Sequence, residues 1–182
     1  MRDDFHIRRL DTPDDAQITA LANVLCDCVA GGASVSFMQP LPMERAERFW
    51  REVAGAAARG ERALLVAEDR QGTIVGTVHL VLAQPDNQPH RADVSKMLVH
   101  RRARRQGLAA RLMRAAEHEA LRAGKSLLVL DTATGDDAER LYAAMDWQRC
   151  GLIPGYALWP EGGLCDTTIF FKQLEPPALS TA

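Results

Sequence analysis

Apolar residues fall at helical spacing in four stretches of the chain and alternate with polar ones in several others. Ile18, Leu21, Ala22, Leu25 and Val29 share one helical face. Thr12 as N-cap and Pro13 at the first helical position are expected to start that helix, and Gly31-Gly32 to stop it. Ala46, Phe49, Trp50, Val53 and Ala57 predict a second helix over 43–59. Leu108, Leu112, Ala116 and Ala120 recur every fourth residue and mark the buried face of a third. Ala138, Leu141, Tyr142 and Met145 predict a last helix opened by Asp136 or Asp137. Strands are expected at 5–10, 63–68, 73–83, 94–99, 127–130, 147–152 and 168–174. In 73–83, Ile74, Gly76, Val78, Leu80 and Leu82 alternate with Val75, Thr77, His79 and Val81, and the turn Asp69-Arg70-Gln71-Gly72 makes an antiparallel hairpin with 63–68. The wholly apolar 127–130 reads as a strand buried on both faces.

The order 94–99, helix, 127–130 is a strand–helix–strand unit, which implies a parallel pair joined by a right-handed crossover. The loop 31–42 is glycine-rich, apolar and broken by two prolines. A polar, proline-bounded loop fills 84–91, and the last two strands flank a loop containing Pro154-Gly155-Tyr156 and Glu161-Gly162-Gly163. No repeat or composition shift marks a boundary, so a single α/β domain is expected over 1–182, with a frayed tail from about 175.

The turn between the predicted strand 94–99 and the helix after it carries the strongest chemical signal. It runs His100-Arg101-Arg102-Ala103-Arg104-Arg105-Gln106-Gly107-Leu108-Ala109. A helix that starts on small residues leaves its first N–H groups unpaired, and those donors with the helix dipole favour an anion, most naturally a phosphate. Gly107 lets backbone approach a ligand closely, and Ala109 nearly does.

Composition changes this picture little. The 182 residues carry a formal net charge of −2, which gives no overall attraction to nucleic acid or anionic membrane. The arginine cluster stays readable as a solvated turn, a nucleic-acid contact or a phosphate grip; its place before a helix favours the last. Cys26, Cys28, Cys150 and Cys165 show neither a CxxC pair nor zinc-finger spacing, so reduced thiols and no metal are expected. The N-terminal MRDDFHIRRL has no apolar core of a signal peptide, and no run reaches membrane-spanning length. These features predict a cytoplasmic protein without membrane or nucleic-acid partners, as a monomer or homodimer.

Arg104-Arg105-Gln106-Gly107-Leu108-Ala109 resembles the R/Q-x-x-G-x-G/A signature of acetyl-coenzyme A binding in the GCN5-related N-acetyltransferase (GNAT) superfamily, with Met97-Leu98-Val99 as the strand before it. Arg105 and Ala109 stand where glycines are common in that signature. The element order is similar to the GNAT fold over 5–174: a central mixed, mostly antiparallel sheet with one parallel strand–helix–strand unit, flanked by helices. Within the superfamily, stretches 30–41, 130–147 and 151–163 resemble the tabtoxin-resistance acetyltransferases, which act on an amino-acid-like β-lactam toxin. The resemblance implies acetyl-CoA as co-substrate, no metal, and an acyltransferase acting by direct attack of a small-molecule amine on the thioester. It implies cofactor contacts at Met97, Leu98, Val99, Arg104, Arg105, Gln106, Gly107, Leu108, Ala109, Thr132, Ala138 and Tyr142.

The reaction needs a held thioester, a neutral nucleophile, a stabilised oxyanion and an acid for the leaving thiolate. By resemblance a backbone N–H near Leu98 serves the oxyanion, and Tyr142, in LYAAMDW, is the acid; as a plain core aromatic it would pack beside Leu141 and Met145. Two carboxylates compete as base. Asp131 ends the strand of the parallel pair, where open α/β sheets present ligands, and matches an aspartate of the toxin-resistance enzymes. Asp93, in Ala92-Asp93-Val94, resembles the Ala-Glu-Ile of histone acetyltransferases. An ordinary aspartate near pKa ~3.9 is a poor base without burial or a charged neighbour, so either acid can instead orient an ammonium. A helix cap for Asp131 and a cross-strand ion pair for Asp93 are the structural alternatives.

Phe37 and Met38, in the apolar loop, and Tyr156 are candidate walls of the acceptor pocket alongside Asp131, with core packing as the alternative. Glu68 is a further acid at a strand end, His79 reads as a satisfied strand histidine, and His100 as an exposed loop residue. A peptide or protein N-acetyltransferase, or a CoA-binding module without catalysis, are the competing functions.

Overall fold

The computed structural model describes residues 4–175; nearly all of the tail expected to fray lies outside them. Seven strands form one sheet: β1 (His6–Arg9), β2 (Arg62–Glu68), β3 (Ile74–Val81), β4 (Arg91–Val99), β5 (Leu127–Ala133), β6 (Gln148–Leu158) and β7 (Leu164–Gln173). Their order is β1-β2-β3-β4-β5-β7-β6. Only β4 and β5 run parallel, the other neighbours being antiparallel, so the expected mixed sheet with one strand–helix–strand unit is present.

Alternation along β2 explains the layering. Ala63, Leu65 and Ala67 join the core under helix α3 (Leu108–Arg122), together with Leu108, Leu112, Met113, Ala116 and Ala120. Leu64 and Val66 point the other way, into a second core with Leu21, Leu25, Ala46 and Trp50 of helices α1 (Asp15–Ala30) and α2 (Met43–Ala58). A short helix, α4 (Asp137–Ala144), follows β5 with Asp136 as its N-cap.

Several elements differ from their expected form. Helix α1 is capped by Asp14 rather than Thr12: the Asp14 carboxylate accepts from the Gln17 N–H at 2.8 Å while the Gln17 side chain accepts from the Asp14 N–H at 3.0 Å. This reciprocal capping box satisfies two donors, which Thr12 followed by Pro13 does not offer. Strand β5 is not buried on both faces: Leu128 and Leu130 are buried, Leu127 and Val129 only half so. Pro154-Gly155-Tyr156 is no loop but a bulge inside β6, opposite Asp166, whose carboxylate accepts from the Gly155 N–H at 2.8 Å. An outer strand tolerates proline there because its missing N–H breaks no ladder bond.

Two departures from regular pairing shape the middle of the sheet. Strands β4 and β5 pair only from Arg91 to Asp93 and Leu127 to Val129, and have no register partners beyond. Strand β4 also carries a bulge: Thr77 faces Leu98 and His79 faces Ser95, so Lys96 and Met97 together oppose Val78. Lys96 holds φ 51°. The extra residue reverses the alternation, so Val94 belongs to the core under α3 while Leu98 belongs to the core of α1 and α2.

Candidate active site

Where β4 and β5 part, a cavity of about 890 Å³ opens, lined by β4 from Val94 to Val99, by β5 from Leu130, by the start of α3 and by Tyr142. One end is made of backbone. Gly107 is the N-cap of α3 in the left-handed region, φ 74°, with no side chain capping the helix. The first bond of the helix runs from the Arg111 N–H to the Gly107 carbonyl at 3.2 Å, which leaves the amides before it free to meet an anion. No acid occupies the first turn of α3. Arg104, Arg105, Gly107, Leu108 and Ala109 all line the cavity, whereas Gln106 does not. Beside them, the β4 edge at Met97, Leu98 and Val99 borders the cavity with no β5 strand paired to it.

The arginine cluster is largely neutralised from within. Arg101 binds Asp27 (2.8 Å), Arg102 binds Asp69 (2.9 Å) and Arg105 reaches Asp137 (3.3 Å). The Arg104 Nε donates to the Val99 carbonyl at 3.0 Å. Such a surface offers no continuous positive stripe for a nucleic-acid backbone. Against the opposing pull of burial, the Asp27 carboxyl is held below the usual range by hydrogen bonds from Arg101 and the charges of His100 and Arg101, and that of Asp69 by the Thr73 and Gln71 amides of its own turn and then by Arg102. His100 is not simply exposed: its Nδ1 accepts from the Arg102 N–H at 3.2 Å, capping a short turn of 3₁₀ helix over Arg101–Ala103.

Chemistry-bearing side chains gather at the middle of the cavity. Tyr142 is buried and lines it, with its ring centroid 6.0 Å from those of Trp147 and Phe170. Burial, then the charges of Asp131 and Asp136, push its phenol above the ordinary tyrosine value, so it is protonated at neutral pH. Both readings of Tyr142 therefore meet in one residue, a core aromatic whose neighbour is the cavity. Asp131 lines the cavity, exposed to it. Thr132 and Ala138 line it too.

Asp93 lies elsewhere. It does not border the cavity, and its carboxylate is taken by Arg91 and by the Gln84 amide at 3.0 Å; the ion pair is structural as the alternative expected, but it joins residues two apart in β4 rather than crossing between strands. Phe37 stacks edge-on with Phe49 at 5.3 Å, and Phe37, Met38 and Tyr156 all stand outside the cavity lining. Glu68 is bound by Arg8 at 2.6 Å. His79 is fully buried, its Nε2 2.8 Å from an Arg62 nitrogen and its Nδ1 without a partner among the described residues, so it is only half satisfied. Burial, then repulsion from Arg62 and Lys96, lowers its pKa to about 3.

The far end of the cavity was not visible in the sequence. Residues 31–36 of the α1–α2 loop, Lys96 and Trp159 form it. The loop is clasped to the β6–β7 hairpin: the Ser34 hydroxyl donates to the Leu158 carbonyl and the Gln39 N–H to the Pro160 carbonyl, each at 2.9 Å. The Lys96 ammonium reaches the Ser36 hydroxyl at 3.1 Å. One signal could have found Lys96: it stands in phase with Ala92, Val94 and Leu98, a charge at an apolar position of a strand. Among the described residues no helix is long and apolar enough to cross a membrane, and no group of three or more His, Cys, Asp or Glu could hold a metal.

A sheet split beside a helix N-terminus is the architecture of acyl-CoA-dependent acyltransferases, and comparison with known proteins agrees. Residues 27–147, well over half of the chain, match the Acetyltransferase (GNAT) family, and the chain belongs to that family. A relative from Azospirillum brasilense, described as an uncharacterized N-acetyltransferase in the hisH-hisA intergenic region, is 29% identical over 170 residues, 91% of this chain and 99% of its own. Among solved structures, yncA of Salmonella typhimurium, which holds its cofactor acetyl-CoA, aligns with TM-score 0.76 at 20% identity over 97% of each chain. A GNAT superfamily phosphinothricin acetyltransferase of Sinorhizobium meliloti, in complex with AcCoA, aligns with TM-score 0.77 at 14% identity over 93% of this chain and 88% of that one.

Proposed function

We propose that the chain is an acetyl-CoA-dependent N-acetyltransferase that acts on the amine of a small molecule, in an amino-acid-like setting. The residues present fit the cofactor. Free amides at the start of α3, Gly107, Arg104 and Arg105 suit a pyrophosphate, and the unpaired β4 edge at Met97, Leu98 and Val99 suits the amides of a pantetheine arm. Leu108, Ala109, Thr132 and Ala138 complete the walls, with Gln106 flanking them. Bound there, acetyl-CoA supplies an activated acyl carbon; the amine attacks it directly, so a C–N bond forms, the C–S bond breaks, and sulfur keeps the electron pair.

The chain's own groups serve the proton movements. Asp131 orients the ammonium of the acceptor and accepts its proton, directly or through water. A β4 backbone amide near Leu98 donates to the thioester oxygen, a donor fixed in advance. Tyr142 gives its phenolic proton to the departing sulfur. Its raised pKa keeps that proton in place until needed. Burial that raises the phenol also raises a thiolate formed beside it above the ordinary thiol value of ~8.5, which keeps the transfer near balance.

The observation that carries this reading is one cavity bordered at once by the uncapped start of α3, the open β4 edge, Tyr142 and Asp131. The clasp between the α1–α2 loop and the β6–β7 hairpin supports a small acceptor over a peptide, which needs an open groove. The likeness of 30–41, 130–147 and 151–163 to the tabtoxin-resistance acetyltransferases supports a compact amino-acid-like amine. A thiol-release screen with acetyl-CoA against small amines, amino-acid-like β-lactams and short peptides tests it. Turnover with a small amine is expected, and Asp131→Asn should change both the acceptor KM and the pH–rate profile. Coenzyme A binding without release of thiol for any amine would leave a CoA-binding module instead.

A further inference from the structure

Lys96 is a charged residue that forms no ion pair among the described residues. It is half-buried, it occupies the bulge of β4, and its ammonium has three donors to satisfy. One meets the neutral Ser36 hydroxyl at 3.1 Å, and the ammonium lies 5.6 Å from the centroid of the Phe49 ring. Among the described residues no carboxylate lies within ion-pair reach of it; Asp131, which lines the same cavity, acts on it through its charge. Burial, with Arg62 adding repulsion and Asp131 opposing, sets the ammonium below the ordinary lysine range.

The backbone holds this arrangement under strain at both partners of the hydrogen bond: φ is 51° at Lys96 and 75° at Ser36. Side chains with a β-carbon seldom take that conformation, and it persists where surroundings over-determine it. Phe49 and Trp50 support the same wall from α2, with ring centroids 5.0 Å apart. A positive group and Asp131 therefore line the same cavity and feel each other's charge, and among the described residues neither forms an ion pair. Partly desolvated charges of this kind favour a ligand that brings both complements.

We propose that Lys96 anchors a carboxylate of the acceptor, so that the acceptor class is α-amino acids and close analogues, the ammonium of the ligand facing Asp131 and its carboxylate facing Lys96. This rests on the acetyltransferase reading above and adds the residue that selects among amines. Replacing the carboxylate by an amide removes the negative partner while keeping the amine and the side chain, so the two ligands differ in the one contact at issue.

The test measures kcat/KM by thiol release for a panel of α-amino acids, each beside its primary amide and the matching amine without a carboxyl group. The native chain is expected to favour acid over amide by about tenfold or more, chiefly through KM. Lys96→Met should bring that ratio close to one, and Lys96→Arg should restore part of it, which a strut that merely pins Ser36 would not do. Equal rates for acids, amides and plain amines with the native chain overturn the anchor and leave the acetyltransferase standing. No turnover with any panel member while coenzyme A binds by calorimetry overturns both together. If Lys96→Met fails to fold, the ratio from the native chain decides.

Discussion

The two ends of the cavity are built from different materials. At the α3 end, the surface offered to a ligand is backbone: free amides above Gly107 and an open strand edge at Met97, Leu98 and Val99. At the clasped end it is made of side chains from distant segments: Ser36 from a loop, Lys96 from a bulge, Asp131 from the neighbouring strand and Trp159 from a hairpin tip. Backbone recognition suits a constant ligand, because it depends on local conformation that a short motif can encode. Side-chain recognition suits a variable ligand, because each contact can be exchanged without refolding the frame.

Tyr142 lines the same cavity, and removal of its hydroxyl gives the largest expected effect. Tyr142→Phe keeps the packing on Trp147 and Phe170 but deletes the proposed acid, so kcat should fall by about 100-fold, with the Kd for acetyl-CoA unchanged in calorimetry. An unaltered kcat would return Tyr142 to the core and leave the cavity without its acid.

Next in size is a pH effect confined to the wall behind the clasped end. His79 has a folded pKa of about 3, well below its unfolded value near ~6.5, so the unfolded chain takes up a proton that the fold refuses. Stability from this group is complete above the unfolded value and is lost as pH falls from there towards the folded one. Between pH 7 and pH 5 about 2 kcal/mol should go, on the order of one proton's linkage over that interval. In urea unfolding, His79→Gln should flatten that slope; a slope equal to that of the native chain would show that His79 is not the group responsible.

Gly107→Asp probes the backbone end. Aspartate tolerates the left-handed region better than most residues, but its carboxylate competes for the helix amides. The Kd for coenzyme A should rise about tenfold or more, while acceptor selectivity stays as it was. Undiminished coenzyme A binding would remove the α3 amides from the phosphate site. The smallest effect is expected at the clasp. Ser34→Ala deletes one hydrogen bond to the hairpin, which at roughly 1 kcal/mol should raise the acceptor KM about threefold to fivefold and leave coenzyme A binding alone. An equal shift in both would mean that the two ends are coupled rather than separate.

The same contrast explains what the sequence could reveal. Leu108, Leu112, Ala116 and Ala120 announced α3, and Arg104 to Ala109 announced what its first turn faces, because periodicity and capping are local. Asp131 and Tyr142 came from motif resemblance, and the fold brings both to the cavity. Phe37, Met38 and Tyr156 were chosen for being apolar near a glycine- and proline-rich segment, yet the cavity is lined by Gly31 to Ser36, small residues whose backbone leaves room. Asp93 and Lys96 show the limit best. They sit three positions apart in one strand: Asp93 pairs with Arg91, two residues away on the same strand face, whereas Lys96 owes its place at the cavity to the bulge in the register of β4 against β3. That register is a long-range property, set by β3 and its bulge rather than by neighbours in the chain.

The supernumerary residue of β4 makes strand length a determinant of selectivity. Deleting Met97 would restore strict alternation while leaving Ser95 opposite His79 and Leu98 opposite Thr77, so Lys96 alone would stand opposite Val78, on the α3 face of the sheet, and be withdrawn from the clasped compartment. Chains that share this frame but lack the insertion would thus read a different acceptor with almost the same side chains. An alignment of this strand should accordingly weigh a gap above any substitution.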